Sequence, residues 1–167
     1  MSKTDLRKMM AWAEKEFSLG ILQEFLAAVP TAELRPISDD HPAQSDEVDM
    51  GLTYAELSVL GKLRKEQKLG PYGVFQRLVH EWNDQEPREV ARKVKHFFHK
   101  WAVSRHKMTV MTPALHMENY SPEDHRFDLR PFLYKSYYSS WPYRQIDKAV
   151  EKMEKKAQEN KDAEAKK

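Results

Sequence analysis

Pro87-Arg88-Glu89-Val90-Ala91-Arg92-Lys93-Val94-Lys95-His96-Phe97-Phe98-His99-Lys100-Trp101 is the most strongly patterned stretch of the chain. Val90, Val94, Phe97, Phe98 and Trp101 recur at spacings of three and four, which places them on one face of a helix. Pro87 suits the first helical position, where its missing N–H is no loss. The helix is expected to end near Arg105-His106-Lys107. It carries a broad apolar stripe and therefore needs other elements to cover it, so the neighbouring sequence has to supply helices or a sheet.

Helical patterns continue upstream. Thr53-Tyr54-Ala55-Glu56 has the spacing of a capping box and opens a helix carrying Leu57, Leu60 and Leu63, which Gly70-Pro71 ends. A further helix gathers Val74, Phe75, Leu78, Val79 and Trp82, and Asn83 to Glu86 form the turn before Pro87. At the start of the chain Ser2 caps a helix with Asp5 in its first turn and with Leu6, Met9, Met10, Ala13 and Phe17 on one face. After Ser18-Leu19-Gly20, a short helix holds Ile21, Leu22, Phe25 and Leu26, and Pro30 closes it. Between Pro30 and Gly51 the periodicity is lost. Pro30, Pro36 and Pro42 alternate with Glu33, Asp39, Asp40, Asp46, Glu47 and Asp49, so a long acidic loop is expected, and loops of that length in compact domains either act as lids or stay disordered.

Downstream, Met108 to Tyr143 contains four prolines and many aromatics, a composition suited to irregular chain laid over a surface. Only Met108 to Met111 resembles a strand. From Ile146 a charged helix follows, with Ala149, Val150 and Met153 as its apolar stripe, becoming a low-complexity Lys/Glu/Ala tail by Gln158. The fold class expected is mainly α. Five or six amphipathic helices with no convincing sheet leave several apolar faces in need of a partner.

Composition narrows the chemistry. The chain has 167 residues, 40% hydrophobic, with 28 Lys+Arg against 26 Asp+Glu. A net charge of +2 is too balanced to imply a polyanion partner from bulk charge, so any phosphate site must be local. No cysteine is present, which excludes disulfides, thiolate metal sites and a cysteine nucleophile within these residues, and fits a reducing, cytoplasmic setting. No stretch approaches the ~20 apolar residues of a membrane span, so no membrane partner is expected.

Few constellations could carry a reaction. The five glycines form no phosphate loop of either common spacing, and there is no nucleophile elbow. His96 and His99 stand one helical turn apart, but Arg92, Lys93, Lys95 and Lys100 beside them disfavour a cation, so no metal ligands are assigned. Between Arg88 and Lys107 seven Lys/Arg residues face one acid, Glu89. That local basic stripe suits phosphate, although solvated basic faces are common. Lys3-Thr4 at a helix start and Thr31 after Pro30 set cations, hydroxyls and backbone N–H groups where anions bind. As isolated features they are better explained as helix caps.

Taken in order, Ser2-Lys3-Thr4-Asp5-Leu6, Pro30-Thr31-Ala32-Glu33-Leu34, Gln44-Ser45-Asp46-Glu47 with Met50-Gly51, Thr53-Tyr54-Ala55-Glu56-Leu57 and Arg105-His106-Lys107-Met108 resemble the synthetase domain of glutamine-dependent NAD synthetases, the eukaryotic branch above all. Tyr120-Ser121-Pro122-Glu123-Asp124 and Arg126-Phe127-Asp128-Leu129-Arg130-Pro131-Phe132-Leu133-Tyr134 are similar to that branch's C-terminal signature. The likeness covers residues 2–147, which implies a C-terminal part of a synthetase domain over 1–147 and a charged helical tail over 148–167, disordered at its end.

The resemblance implies the helical C-terminal portion of a Rossmann-like α/β domain of the adenine nucleotide alpha-hydrolase type. It implies ATP-dependent activation of deamido-NAD as an adenylate, then attack by ammonia drawn from glutamine. By motif, Lys3 and Thr31 would contact ATP, and His106, Lys107 and Glu33 would contact deamido-NAD. The Pro36 to Gly51 loop would close over the nucleotides and keep water from the adenylate. ATP and Mg2+ serve the family, but its Ser-Gly-Gly-x-Asp-Ser pyrophosphate loop, its magnesium-binding acids and its glutaminase cysteine are missing from this sequence. These residues are therefore expected to be a piece of a homo-oligomeric enzyme, inactive without N-terminal synthetase and glutaminase regions, and not to bind nucleic acid. The alternative is a non-catalytic helical module that uses the basic 88–107 helix on an anionic partner such as RNA.

Overall fold

The computed structural model describes residues 3–31, 45–106 and 135–164, and among these it is mainly helical with no strand. The chain divides into two compact units, Met1–Val59 and Leu60–Lys167.

In the first unit, α1 (Lys3–Phe17) and α2 (Ile21–Ala27) form the expected hairpin. Ser18 turns the chain in the left-handed region, φ 52°, and the Leu19 N–H reaches back to the Glu14 carbonyl at 3.1 Å, ending α1. The Arg7 guanidinium donates to the Leu26 carbonyl, and Gln23 Nε2 donates to Glu14 Oε1 at 2.7 Å. Neither helix contains a buried residue. Met9, Phe17, Ile21 and Phe25 are all exposed, so the apolar face read from the spacing exists and is uncovered among the described residues.

One expectation needs correction. Asp46–Met50, part of the stretch read as loop, is a one-turn helix, α3. Three acids in its first turn complement the positive end of the helix dipole. Gly51, in the left-handed region at φ 67°, gives its N–H to the Glu47 and Val48 carbonyls, the stop that glycine provides without a Cβ penalty. The residues of that loop between 32 and 44 lie outside the described ones.

α4 (Tyr54–Lys65) begins with the reciprocal capping box that the sequence predicts. The Glu56 N–H donates to Thr53 Oγ1 at 3.2 Å and the Thr53 N–H to Glu56 Oε2 at 2.9 Å, satisfying two donors that a helix start leaves orphaned. α4 stops at Lys65, five residues before Gly70, because Lys68 takes a left-handed φ of 59° and the Leu69 N–H folds back to the Leu63 carbonyl at 3.1 Å. Pro71 does not end a helix but starts the next one.

The second unit holds most of the core. α5 (Pro71–Glu81), α6 (Pro87–Val103) and α7 (Ser140–Glu164) pack pairwise against one another. Both α5 and α6 carry proline in the first turn, as expected for α6. Leu60, Val74, Phe75, Leu78, Val90, Val94, Phe98 and Ile146 are fully buried. The Phe98 ring meets Phe97 and Tyr138 edge-on, with centroids 5.2 and 5.1 Å apart, the geometry aromatic quadrupoles favour. Trp101, expected inward, is half-buried. After α6 a 3-10 turn, η1 (Ser104–His106), ends the element.

α7 starts at Ser140 rather than Ile146, so Trp141, Pro142 and Tyr143 are its first turn and not irregular chain. Proline is tolerated there for the reason it is at Pro87. The helix is continuous through residues 147 and 148 and docks through Ile146 and Val150. The Met108 to Met111 strand reading lies outside the described residues. No helix among the described residues is long and apolar enough to cross a membrane.

Candidate functional site

The first unit brings Lys3 and Thr31 to a common set of residues around α3 and the start of α4. Lys3 opens α1 and is exposed. Its Nζ lies 5.4 Å from the centroid of the Tyr54 ring, within range of a cation–π attraction. The Tyr54 hydroxyl donates to Asp46 Oδ2 at 2.7 Å, and the Tyr54 N–H donates to Glu47 Oε1 at 2.8 Å. Thr31 pairs with Ser45 in an isolated antiparallel bridge, and the Asp46 N–H donates to the Pro30 carbonyl at 3.2 Å. The two ends of the 32–44 stretch are therefore clamped side by side, and the clamp continues through Asp46 to Tyr54 and Lys3.

Electrostatics follow from this geometry. Burial, then the hydrogen bond to Asp46 and the charges of Asp46 and Glu47, push the Tyr54 phenol up to about 12. The phenol thus remains a neutral donor across the physiological range. The aromatic face holds the Lys3 ammonium without neutralising it, whereas the nearby carboxylates of Asp46 and Glu47 are engaged by Tyr54. Among the described residues Lys3 makes no ion pair. The arrangement leaves the exposed Lys3 ammonium charged on an aromatic face, in the same unit as the exposed Thr31, a setting for an anionic ligand.

Tyr54, Asp46 and Glu47 do not stand out from the sequence as functional. The signal is present, because both Ser45-Asp46-Glu47 and Thr53-Tyr54-Ala55-Glu56 belong to the motif series. A pattern of caps and acids does not reveal that a tyrosine eight residues on returns to the first acid.

Of the residues assigned to deamido-NAD, Glu33 and Lys107 lie outside the described residues. His106 falls in η1 of the second unit, directly after Arg105, which is 9% exposed. An apolar groove of about 310 Å³ between α5 and α7, lined by Tyr72, Phe75, Val79, Lys152, Met153 and Lys156, contains none of the candidate residues.

The basic stripe on α6 is largely engaged within the second unit. Arg88 makes a bidentate pair with Glu154 of α7, 2.9 and 2.7 Å, and Arg92 one with Glu89, 2.8 and 2.7 Å. Lys95 pairs with Asp147, and Lys93 donates to Gln85 Oε1 at 2.8 Å while lying over the Trp82 ring. The guanidinium hydrogen bonds hold the carboxyls of Glu89 and Glu154 below the usual range. His96 is half-buried and His99 exposed. Among the described residues no three His, Cys, Asp or Glu side chains are grouped to hold a metal ion.

Curated relatives match along nearly the whole chain. A "Glutamine-dependent NAD(+) synthetase" of Homo sapiens is 54% identical over 158 residues, 93% of this chain and 22% of that protein. The protein of the same name from Saccharomyces cerevisiae is 52% identical over 155 residues, 92% of this chain and 21% of its own length.

This chain is homologous to one segment of the glutamine-dependent NAD(+) synthetases.

A glutamine-dependent NAD(+) synthetase of Drosophila melanogaster agrees, at 51% identity over 156 residues, 92% of this chain and 20% of that protein. The segment belongs to the C-terminal part of the synthetase, as the motif series implies, and the chain spans about a fifth of the length of the synthetases it matches. No protein-family model matches the chain.

Proposed function

We propose that these residues form the part of an ATP-dependent ligase that contacts ATP through Lys3 and Thr31, and deamido-NAD through His106, Lys107 and Glu33. The ligase amidates deamido-NAD to NAD with ammonia drawn from glutamine. The observation that carries this reading is about 50% identity, over more than nine-tenths of the chain, to proteins named for that activity. The first unit adds support from geometry: the ammonium of Lys3 lies over the ring of Tyr54, whose hydroxyl is held by Asp46, and Asp46 follows the Ser45 that pairs with Thr31.

The chemistry divides accordingly. Forming an adenylate on the nicotinate carboxylate needs positive charge where the polyphosphate is displaced, and a lysine is a compact cation for that purpose. Mg2+ would add charge on the phosphates, held by residues other than the described ones. A Rossmann-like sheet, the pyrophosphate loop and a glutaminase come from synthetase sequence beyond this segment. The uncovered apolar face of α1 and α2 fits packing against such a sheet. The assembly is a cytoplasmic homo-oligomer, and these 167 residues alone do not turn over.

The competing reading, an RNA-binding module on α6, receives less support, because Arg88, Arg92 and Lys95 already have carboxylate partners. The test is titration of the purified chain with ATP, deamido-NAD and a single-stranded RNA at several salt concentrations. Selective ATP and deamido-NAD binding with no NAD formed from ammonia supports the ligase segment. RNA binding with a steep salt dependence and no nucleotide selectivity overturns it.

A further inference from the structure

Tyr54 is fixed at its backbone and at the tip of its side chain. Its backbone N–H is bound by Glu47 and its hydroxyl by Asp46, and the capping box at Thr53 and Glu56 sets the start of its helix. Asp46 is in turn held by its own N–H on the Pro30 carbonyl, one residue before Thr31. The face of the ring that remains is under the Lys3 ammonium, 5.4 Å away.

A lysine stem has four rotatable bonds, and ordering it on a phosphate removes most of that freedom. A carboxylate partner would order the stem but neutralise the charge. An aromatic face orders it and leaves the charge available, since the attraction uses the ring quadrupole and consumes no hydrogen-bond donor of the ammonium.

We propose that Tyr54 is a positioning residue for the polyphosphate of ATP: its anchored ring holds the Lys3 ammonium aimed at the arriving ligand, and Asp46 sets the ring. The inference rests on the reading of Lys3 as an ATP contact. It adds that the affinity of that contact is set by an aromatic surface fifty-one residues away in sequence, tied to the base of the 32–44 stretch.

The test is NMR on the full chain with lysines 13C-dimethylated, a modification that keeps their charge. Lys3→Arg identifies the Lys3 signal by its disappearance. In the unaltered sequence that signal is shifted upfield of the other lysines by the Tyr54 ring current, and MgATP moves it. Tyr54→Leu returns it to the position of the other lysines and weakens ATP binding by about 2- to 5-fold, the range of an exposed cation–π contact. Tyr54→Phe keeps the ring but loses its Asp46 anchor, so it retains more of the shift and the affinity than Tyr54→Leu, whereas a merely structural role through the hydroxyl would be lost equally in both variants. Circular dichroism confirms that each variant folds. If the Lys3 signal is not upfield, or Tyr54→Leu leaves it in place, the positioning role is overturned even where ATP binds. If the signal is upfield and responds to Tyr54→Leu but MgATP does not move it, the ATP reading of Lys3 fails and the proposal falls with it.

Discussion

Ile146→Ala is the sharpest test of how the second unit is assembled. Ile146 is fully buried, and with Val150 it is the main apolar anchor by which α7 seats on α5 and α6. The change deletes three carbons, about 2.4 kcal/mol of transfer free energy at ~0.8 kcal/mol per methylene. The cavity left in a core that cannot collapse fully brings the cost to about 3–4 kcal/mol. The ion pairs flanking this contact, Arg88 with Glu154 and Lys95 with Asp147, are solvent-exposed and offset little of that loss. Urea unfolding followed by far-UV circular dichroism, with a slope of roughly 2 kcal/mol per molar, should show the midpoint falling by about 1.5–2 M. Ile146→Val should cost only about 1 kcal/mol. Native-state hydrogen exchange would show α7 losing protection before α6. If Ile146→Ala costs no more than Ile146→Val, α7 does not rest on this core and its packing on α5 and α6 is refuted.

Other expectations follow from local geometry. In a spectrophotometric titration Tyr54 should ionise near pH 12, later than an ordinary tyrosine, and Asp46→Asn should lower that midpoint only in part because burial is the larger cause. Gly51→Ala places a Cβ in the left-handed region and should destabilise by about 1 kcal/mol. Gly20, at φ −55° with open space around an added Cβ, should instead gain about 0.4–1 kcal/mol as alanine, read as melting temperature. Glu89 is held below its ordinary range by Arg92, so its contribution is present above the ordinary glutamate pKa and is lost as pH falls through the lowered folded value. Glu89→Gln should flatten that part of the acid-unfolding curve, and a curve unchanged by the substitution would refute the pairing.

The helices were legible wherever apolar spacing and end signals agreed. Pro87 with Val90, Val94, Phe97 and Phe98 announced α6, and Thr53 with Glu56 announced the capping box of α4. Boundaries failed where a single backbone angle decided them. Nothing in Glu66-Gln67-Lys68 marks the left-handed Lys68 that ends α4 before Gly70. The acids of Asp46 to Asp49 read as loop because five residues are too few to show a period, although Gly51 was an available stop signal. Prolines misled at Pro142, where the count of prolines in the surrounding stretch hid a helix start.

Lys3 and Thr31 enter as candidates through the family resemblance, and the spacing by itself places each only at a helix end. The Tyr54 contact is made across 51 positions by side-chain direction alone, which one-dimensional spacing does not encode. The basic stripe on α6 was visible as a sum of charges. Its neutralisation by Glu154 and Asp147 of α7 was not, because those acids are 66 and 52 residues from their partners.

The pairing of Thr31 with Ser45, reinforced by the Asp46 N–H on the Pro30 carbonyl, ties the end of α2 to the start of α3. Because Asp46 also accepts from the Tyr54 hydroxyl, the tie runs on into the first turn of α4. A label placed on Ala28, just past α2, would therefore sense a change at Tyr54 without touching it.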